Sequence, residues 1–271
     1  SRDGTLLVTA CEDGRLRVWD AATRSLLTTI DTLHQAVHAV ALSSDGALVA
    51  ARGDDHSLTV WDRATGQQIA GLPEYDEPGV AFAWALEGHQ LVVAPDDHTL
   101  ALIDVDTGRL IWSIDCESLV RGAAMAPRRR LTLSGWAVQI RDASSGRLER
   151  SFRESNSQFA VSADGRMIAA GNAAAVTLID AGTAERLQTL LPGGELVKRL
   201  AMHGSTLAVA MHPADISLWD LRTAQMLCRL DCDAADIEGL TFSPDGHHLV
   251  ATGRDPTQQG RIWEWKIRPR E

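Results

Sequence analysis

The chain has 271 residues, of which 45% are hydrophobic and 23% are charged, and this composition excludes disordered, collagen-like and coiled-coil chains. Its 26 basic residues are outnumbered by 36 acidic ones, so the formal net charge of −10 argues against a general binder of nucleic acid or of anionic membranes. No apolar run approaches the ~20 residues that span a bilayer, and residues 1–5 resemble no targeting peptide. We therefore expect a cytoplasmic protein.

Cysteine and lysine are both sparse. The four cysteines are too few and too scattered for a disulfide framework or for paired C-x-x-C zinc ligands, so we expect free, buried thiols in a reduced compartment. Only two of the 26 basic residues are lysine, and alanine is abundant, which is typical of a GC-rich bacterial source. The cysteines are Cys11, Cys116, Cys228 and Cys232.

A short triplet recurs along the whole chain. Its middle residue is most often tryptophan or isoleucine, its last residue is acidic, and successive copies are 42, 42, 38, 38, 40 and 44 positions apart. A fixed period of this length is the sequence signature of a repeat architecture. The copies are Val18-Trp19-Asp20, Val60-Trp61-Asp62, Leu102-Ile103-Asp104, Ile140-Arg141-Asp142, Leu178-Ile179-Asp180, Leu218-Trp219-Asp220 and Ile262-Trp263-Glu264.

Two kinds of turn keep phase with the triplets. A Ser-x-Asp-Gly sequence precedes four of them, and Thr-Gly or a related pair follows most of them. These residues favour hairpin turns because they tolerate positive φ or bond their own backbone. The apolar runs between the turns, such as residues 48–51 and 207–210, are too short for helices and predict strands. Each period therefore predicts four strands.

This combination resembles the WD-repeat family of β-propellers, and the resemblance covers the whole chain. Four of the seven triplets keep the tryptophan, and six keep the aspartate. The resemblance implies an all-β fold, a seven-bladed WD-repeat β-propeller, in which repeats stack radially because one repeat cannot bury its own faces. The expected blades are residues 1–33, 34–73, 74–115, 116–153, 154–191, 192–231 and 232–271, of which the first and last are partial.

Two strands are expected to be missing from this chain. The alignment of the periods leaves blade 1 without its first strand and blade 7 without its outer strand. Since propellers of this family usually close with an N-terminal strand, we expect an upstream segment or another chain to complete the propeller. Ser1 is then a cleavage site, an artificial boundary or the visible start of a longer chain. Open strand edges favour aggregation, so the chain alone is expected to fold poorly.

The resemblance also implies a hydrogen-bonded brace within each blade, built from a histidine, a turn aspartate, a Ser/Thr hydroxyl and the strand tryptophan. Blade 1 supplies three members, whereas blade 2 has Ala51 where the hydroxyl belongs. We therefore expect packing to contribute most of the cohesion, at about 1.5 to 3 kcal/mol for each large apolar side chain buried. The predicted structural residues are Thr9, Asp13, Trp19 and Asp20 in blade 1, His34, Asp55, Trp61 and Asp62 in blade 2, Asp97 in blade 3, and Trp219, Asp220 and Trp263.

Metal and catalytic sites are not predicted. Residues 54–56 and 96–98 both read Asp-Asp-His, which suits zinc or manganese, but their equivalent places in successive repeats explain the likeness. No phosphate loop, nucleophile elbow, dinucleotide fingerprint or HExxH motif occurs, so we expect no catalytic residue and no cofactor. The segment ending in Trp112 resembles the repeats of quinoprotein-like propellers. It leaves one alternative open: a propeller enzyme or quinone-binding propeller with a site at the channel mouth.

Charge is unevenly distributed between the predicted faces. In the family, the loops with the brace histidine and aspartate share the top face, and in blades 1 to 3 these loops are acidic. We predict that this acidic arc binds a protein partner, with a basic cluster in the first hairpin of blade 4 as the alternative surface; a merely solvated face explains either pattern equally well. The acidic arc is Glu12, Asp54, Asp76, Glu77 and Asp96, and the basic cluster is Arg128, Arg129 and Arg130.

The predicted function is therefore non-catalytic. The chain is expected to be a protein–protein interaction propeller that serves as a scaffold, or as a sensor or autoinhibitory module, of a larger signalling or defence protein or complex. The resemblance implies this role, since such propellers often follow nucleotide-switching or protease modules. We expect protein partners, no nucleic acid and no membrane. A purely structural domain is the third possibility.

Overall fold

All regular structure in the described part of the chain is β-strand. The computed structural model describes residues 1–32, 34–72, 81–96, 98–116, 120–126, 130–135, 137–152 and 158–267. Its 26 strands form seven antiparallel sheets in chain order, each sheet corresponding to one period of the sequence. This confirms the predicted fold class, an all-β chain with the seven blades of a β-propeller.

The strands of each blade follow one another along the chain and pair with their sequence neighbours. Blade 1 has β1 (Leu6–Ala10), β2 (Arg15–Asp20) and β3 (Leu26–Asp31); blade 2 has β4 (Val37–Leu42), β5 (Leu48–Gly53), β6 (Leu58–Asp62) and β7 (Gln68–Leu72); blade 3 has β8 (Ala81–Trp84), β9 (Gln90–Ala94), β10 (Thr99–Asp104) and β11 (Arg109–Asp115). Blade 4 has β12 (Val120–Ala126), β13 (Arg130–Gly135), β14 (Val138–Asp142) and β15 (Leu148–Phe152).

The remaining blades repeat this order. Blade 5 has β16 (Gln158–Val161), β17 (Met167–Gly171), β18 (Val176–Asp180) and β19 (Arg186–Leu190); blade 6 has β20 (Leu196–His203), β21 (Thr206–His212), β22 (Asp215–Asp220) and β23 (Gln225–Leu230); blade 7 has β24 (Asp236–Phe242), β25 (His248–Arg254) and β26 (Gly260–Lys266). Among the described residues, blades 1 and 7 are three-stranded. By comparison with the four-stranded blades, blade 1 lacks the first strand and blade 7 the outer strand, as the alignment predicted.

The Ser-x-Asp-Gly turns are closed by their own side chains. In blade 2 the Ser43 hydroxyl donates to Asp45 over 2.6 Å and accepts the backbone N–H of Leu48 over 2.9 Å, while Gly46 takes a φ of +71°. The same bonds recur at Ser162 and Ser243. In the first of these turns the Ser1 hydroxyl, followed by the backbone and hydroxyl of Thr5, lowers the pKa of the Asp3 carboxyl to about 2. Each Ser-x-Asp-Gly hairpin is therefore stabilised by hydrogen bonds among its own residues.

The aspartate at the end of six of the seven triplets caps the next turn. Asp62 accepts the backbone N–H of Thr65 over 2.8 Å and its hydroxyl over 2.9 Å, and β6 has an irregular register beside it, between Val60 and Trp61. The side chain therefore positions the turn that leads into the outer strand. Equivalent bonds are made by Asp20, Asp104, Asp142, Asp180 and Asp220.

Blade 7 departs from the predicted alignment. In blade 2, Val49 pairs with Trp61, and the corresponding residue of blade 7, Leu249, pairs with Trp265. The predicted triplet ending in Glu264 was therefore displaced by two residues, and Trp265, not Trp263, lies at the position of the repeat tryptophan. The physical reason is the longer hairpin between β25 and β26, which residues 255–259 close. Trp263 lies two residues before that position and pairs with Ala251.

Contacts divide the chain into two compact units, and the cores lie between consecutive sheets within each. The first unit comprises residues 1–125 and 142–147. In it, Leu16 and Ile30 of blade 1 pack in one cluster with Val49 and Trp61 of blade 2. A second cluster joins blades 2 and 3 through Leu48, Leu58, Trp84 and Leu91. Both faces of the blade 2 sheet are thus buried, which explains its nearly continuous apolar strands.

The second unit comprises residues 126–141 and 148–271 and is built in the same way. Leu178 and Leu190 of blade 5 share a cluster with Val209 of blade 6, and Ile216 shares another with Leu249 of blade 7. A third cluster joins blades 4 and 5. The outer strands are different, since they bury few large apolar side chains, such as Ile30 and Leu190, and expose several others. The exposed ones include Leu26, Ile69, Leu110, Leu148, Leu187 and Met226.

The four cysteines are free, as predicted, but they differ in burial. Cys116 is buried, whereas Cys228 is exposed on β23. The expectation of buried thiols was therefore wrong for Cys228, because β23 is an outer strand on which no residue is fully buried.

Two turn glycines offer a test of the packing around the hairpins. Gly14 and Gly88 both have positive φ, of +72° and +68°, but a Cβ at Gly14 would overlap the carbonyl oxygen of His34, whereas a Cβ at Gly88 would meet nothing within 4 Å. Gly88→Ala should cost about 1–2 kcal/mol of unfolding free energy for backbone strain alone. Gly14→Ala should cost roughly 1–3 kcal/mol more, because the loop at His34 must move. Urea unfolding of both variants measures the difference, and equal losses would contradict this account.

Candidate functional site

The brace of blade 1 is present in part. The indole N–H of Trp19 donates to the hydroxyl of Thr9 over 3.0 Å. Asp13 accepts the backbone N–H of Arg15 over 3.2 Å and pairs with the guanidinium of Arg17 at 2.5 Å. The hydrogen bond from Arg17 lowers the pKa of the Asp13 carboxyl. The turn aspartate of this blade thus has an arginine as its charged partner, and its carboxylate stays ionised.

The brace of blade 2 is interrupted where the sequence predicts. His34 Nδ1 lies 3.1 Å from Asp55, which also accepts the backbone N–H and the hydroxyl of Ser57. The His34 ring meets Trp61 edge-on, with centroids 6.2 Å apart. Its other nitrogen, Nε2, is buried without a hydrogen-bond partner, and Ala51, fully buried at the place that Thr9 has in blade 1, has no hydroxyl. An unmet buried polar atom of this kind costs stability.

The other tryptophans use partners that the repeat pattern did not predict. Trp219 donates to Ser217, two residues earlier on the same strand, over 2.9 Å. In blade 7, Trp263 donates to the carboxylate of Asp233 over 2.7 Å, and Trp265 donates to the carbonyl of Asp231 over 3.2 Å. A polar residue two positions before a strand tryptophan was the available signal for Ser217; the bond to Asp233 spans 30 residues and has no local signal.

Two further tryptophans connect neighbouring blades. Trp84, on the first strand of blade 3, donates to the carbonyl of Ala41 in blade 2 over 3.0 Å. Trp112, on the outer strand of blade 3, donates to the carbonyl of Ala143 in blade 4 over 3.1 Å. Trp112 is the residue that suggested a quinoprotein-like repeat. Its hydrogen bond and its contact with the turn at Gly146 explain it as a packing residue.

The predicted acidic arc is more engaged with the backbone than its sequence indicates. Asp54 is half-buried and accepts the backbone N–H of Ala36 over 3.3 Å. Asp96, also half-buried, accepts the backbone N–H groups of His98 and Thr99 over 2.8 and 2.5 Å. Each of these carboxylates therefore closes its own loop. Glu12 is exposed, while Asp76, Glu77 and Asp97 lie outside the described residues.

The predicted basic cluster is described only in part. Arg128 and Arg129 lie outside the described residues, and Arg130 is half-buried with its guanidinium 3.5 Å from Glu149. A nearby arginine of the same blade, Arg141, is buried and donates to Gln139 over 2.9 Å. The described arginines of blade 4 are thus partly used within the blade.

One group of possible metal ligands occurs among the described residues. Nitrogen and carboxylate oxygens of His34, Asp54 and Asp55 lie within 4.8 Å of one another. A ligating histidine usually donates its second ring nitrogen to an oriented acceptor, yet His34 Nε2 is unpartnered in an apolar setting. One oxygen of each carboxylate already accepts backbone bonds. The brace explains this geometry better than a metal centre does.

Two small concavities were considered as reaction sites. One, of about 220 Å³, is lined by His203, Phe242 and Ile267 among others. The other, wider and open, holds Cys232 beside Asp231 and Asp233. Burial raises the pKa of the Cys232 thiol, which works against a nucleophilic thiolate. Neither concavity therefore presents an activated nucleophile.

The comparisons with known proteins agree with the repeats. The model of the anaphase-promoting complex subunit 4 WD40 domain matches residues 40–139, and that of the WD domain, G-beta repeat, matches residues 1–20. Together with the seven blades, these matches favour one kind of repeat. The findings support a WD-repeat β-propeller.

A curated relative of the propeller is "Centriole proteome protein 16" of Chlamydomonas reinhardtii. It is 33% identical over 114 residues, which cover 39% of this chain. The chain spans about 5% of the length of that relative. The likeness therefore concerns a small part of a far longer protein.

In the described part of the chain, no helix has the length and apolarity that a membrane span requires.

The interrupted brace of the propeller can be restored by one substitution. Ala51→Thr should place a hydroxyl between His34 Nε2 and the Trp61 indole, and Ala51→Val adds the same volume without the hydroxyl. We expect the Thr variant to be the more stable of the two by about 1 kcal/mol, the usual net value of a buried hydrogen bond. Urea unfolding of both variants gives the comparison. If the Val and Thr variants have equal unfolding free energies, His34 Nε2 does not accept a hydrogen bond from the new hydroxyl.

Blade 1 provides the converse experiment. Thr9→Val removes the acceptor of the Trp19 indole while keeping the shape of the side chain. We expect a loss of about 1–2 kcal/mol, because the half-buried N–H is left unpaired. An unchanged urea midpoint would show that Trp19 finds water or another acceptor.

Proposed function

We propose that this propeller is a non-catalytic protein–protein interaction module. In this role it acts as a scaffold, or as a sensor or autoinhibitory part, of a larger cytoplasmic signalling or defence protein or complex. The scarcity of lysine and the abundance of alanine support a bacterial origin in this proposal. Membranes and nucleic acids are not its partners in this proposal, which accords with the net charge of −10.

One observation carries the proposal. The motifs single out three kinds of side chain that can act chemically: the turn aspartates, the His34 imidazole and the brace hydroxyls. The described ones form hydrogen bonds within their own blades. They therefore build the repeat and leave recognition to the loops and surfaces. Two matched families with WD40 domains support an interaction module, and one of them is named as a subunit of a complex.

The acidic arc is the proposed docking surface. Glu12, Asp54 and Asp96 are its described members, and their carboxylates carry negative charge whether or not they also accept backbone bonds. A patch of one sign attracts a partner of the opposite sign and raises the association rate. The partner in this proposal has a basic surface. Arg130 marks the alternative surface.

Completion of the propeller is the second part of the proposal. Blades 1 and 7 have three described strands each, so each sheet has an edge where a fourth strand could pair. We propose that an additional segment or another chain supplies these strands. The proposed larger protein is supported by the curated relative, of which the chain spans only about 5%.

The docking surface can be tested without disturbing the loops. Asp54→Asn and Asp96→Asn keep an oxygen that accepts the backbone bonds, and Glu12→Gln removes the third charge. We expect the triple variant to keep its urea midpoint and to associate several-fold more slowly with its partner at low salt, with a weaker dependence on salt. The partner is first identified by affinity capture from source cells, and association is then followed by stopped-flow fluorescence.

A matched variant controls for general loss of charge. Glu185, Glu195 and Asp231 are exposed residues of blades 5 and 6, and replacing the glutamates by Gln and the aspartate by Asn changes the net charge of the chain by the same amount. This variant should retain the wild-type association rate. If both triple variants behave alike, or if neither alters association, the acidic arc is only a solvated face and the proposal moves to Arg130.

A further inference from the structure

His89 lies between two carboxylates that belong to neighbouring blades. Its Nδ1 is 2.7 Å from Asp106, in the turn before the outer strand of blade 3, and its Nε2 is 3.0 Å from Asp45, in the first hairpin turn of blade 2. The imidazole is mostly buried, whereas the side chain of Asp45 is 52% exposed and that of Asp106 is 62% exposed. Asp45 is held in place by the Ser43 hydroxyl and the backbone N–H of Ala47.

The number of protons on the ring decides whether this arrangement is favourable. A neutral imidazole has one N–H donor and one lone pair, while the imidazolium has two N–H donors. Because both ring nitrogens face carboxylate oxygens, both contacts are hydrogen bonds only when the ring is protonated. In the neutral form one contact places a lone pair against a carboxylate.

We propose that His89 is a pH-sensitive clasp that fastens the first hairpin of blade 2 to blade 3 while it is protonated and releases one of the two blades when it is not. This inference is independent of the proposed partner-binding function. It assigns a conformational role to a histidine outside the predicted brace. The equivalent turns of blades 2 and 5 have Ala47 and Arg166 at this position.

The charges around the ring favour the protonated form. Asp104, on the strand that precedes Asp106, also interacts electrostatically with His89. The cations of the surrounding elements are engaged elsewhere: the Arg63 guanidinium donates to the Gly46 carbonyl, that of Arg2 to the Leu86 carbonyl, and Arg109 interacts with Asp104. Glu87, two residues before His89, adds another negative charge to the same hairpin.

The pKa of His89 is raised above its ordinary value, first by the hydrogen bond to Asp106 and then by that to Asp45. The pKa of Asp45 is lowered, by Ser43 and Ala47 and also by His89. A group whose pKa is higher in the folded state stabilises the fold fully below its unfolded pKa, near 6.5 for histidine. That contribution is lost as the pH rises through the folded value. The clasp therefore holds in mildly acidic solution and opens in alkaline solution.

The experiment compares the wild-type chain with His89→Gln by urea unfolding between pH 5.5 and about 9. Glutamine is neutral at every pH and has both a donor and an acceptor. We expect the unfolding free energy of the wild type to exceed that of the variant most at the acidic end. This difference should shrink as the pH rises above about 7. A difference that is constant with pH, or that grows with pH, would overturn the clasp.

A titration of the ring itself keeps the inference testable if His89→Gln folds poorly. The imidazole proton resonances of His89 should follow an apparent pKa above about 6.5 in the wild type. Asp45→Asn and Asp106→Asn should each shift that titration to lower pH, by at least about half a pH unit. Asp245→Asn, at the equivalent turn of blade 7, is the matched control and should leave it unchanged. Titration at or below the ordinary value, or indifference to Asp45→Asn, would refute the proposal.

Discussion

The structure depends on a carboxylate that accepts hydrogen bonds from the backbone two or three residues further on. Such bonds close the turns after six of the repeat triplets, as at Asp62, and the four Ser-x-Asp-Gly hairpins, as at Asp45. They are local, so they form without any tertiary contact, and they fix which residue of a strand faces which neighbour. Every apolar cluster between sheets requires that phase to be correct. The turns thus determine the packing, and the packing supplies the cohesion.

What could be predicted from the sequence follows from this locality. The Trp-Asp and Ser-x-Asp-Gly series predicted seven all-β blades, and the turn bonds of Asp20 and Ser162 are the physical cause of that regularity. Long-range contacts leave no such trace. The pairing of Trp265 with Leu249 depended on the length of a hairpin, and the clasp at His89 depends on a side chain 44 residues away. The backbone bonds of Asp54 and Asp96 were not predictable, because the sequence shows a charge but not the backbone group beside it.

The tryptophans show how a degraded brace remains compatible with the fold. Each buried or half-buried indole needs an acceptor for its N–H, and the blades supply different ones: the Thr9 hydroxyl, the Ser217 hydroxyl, the Asp233 carboxylate and the Ala41 carbonyl. The requirement is therefore for any acceptor within reach, and the repeat tolerates loss of the family arrangement where one exists.

Cores that are shared by consecutive sheets also determine how damage spreads. Each cluster involves two neighbouring blades, such as Leu16 and Ile30 with Trp61, and no described cluster extends over three. A poor substitution in one blade therefore weakens the two interfaces of that blade and leaves distant ones intact, as in a one-dimensional array with nearest-neighbour coupling. Repeats built in this way can diverge one at a time. That freedom accounts for a chain whose seven periods differ so much in sequence while keeping one architecture.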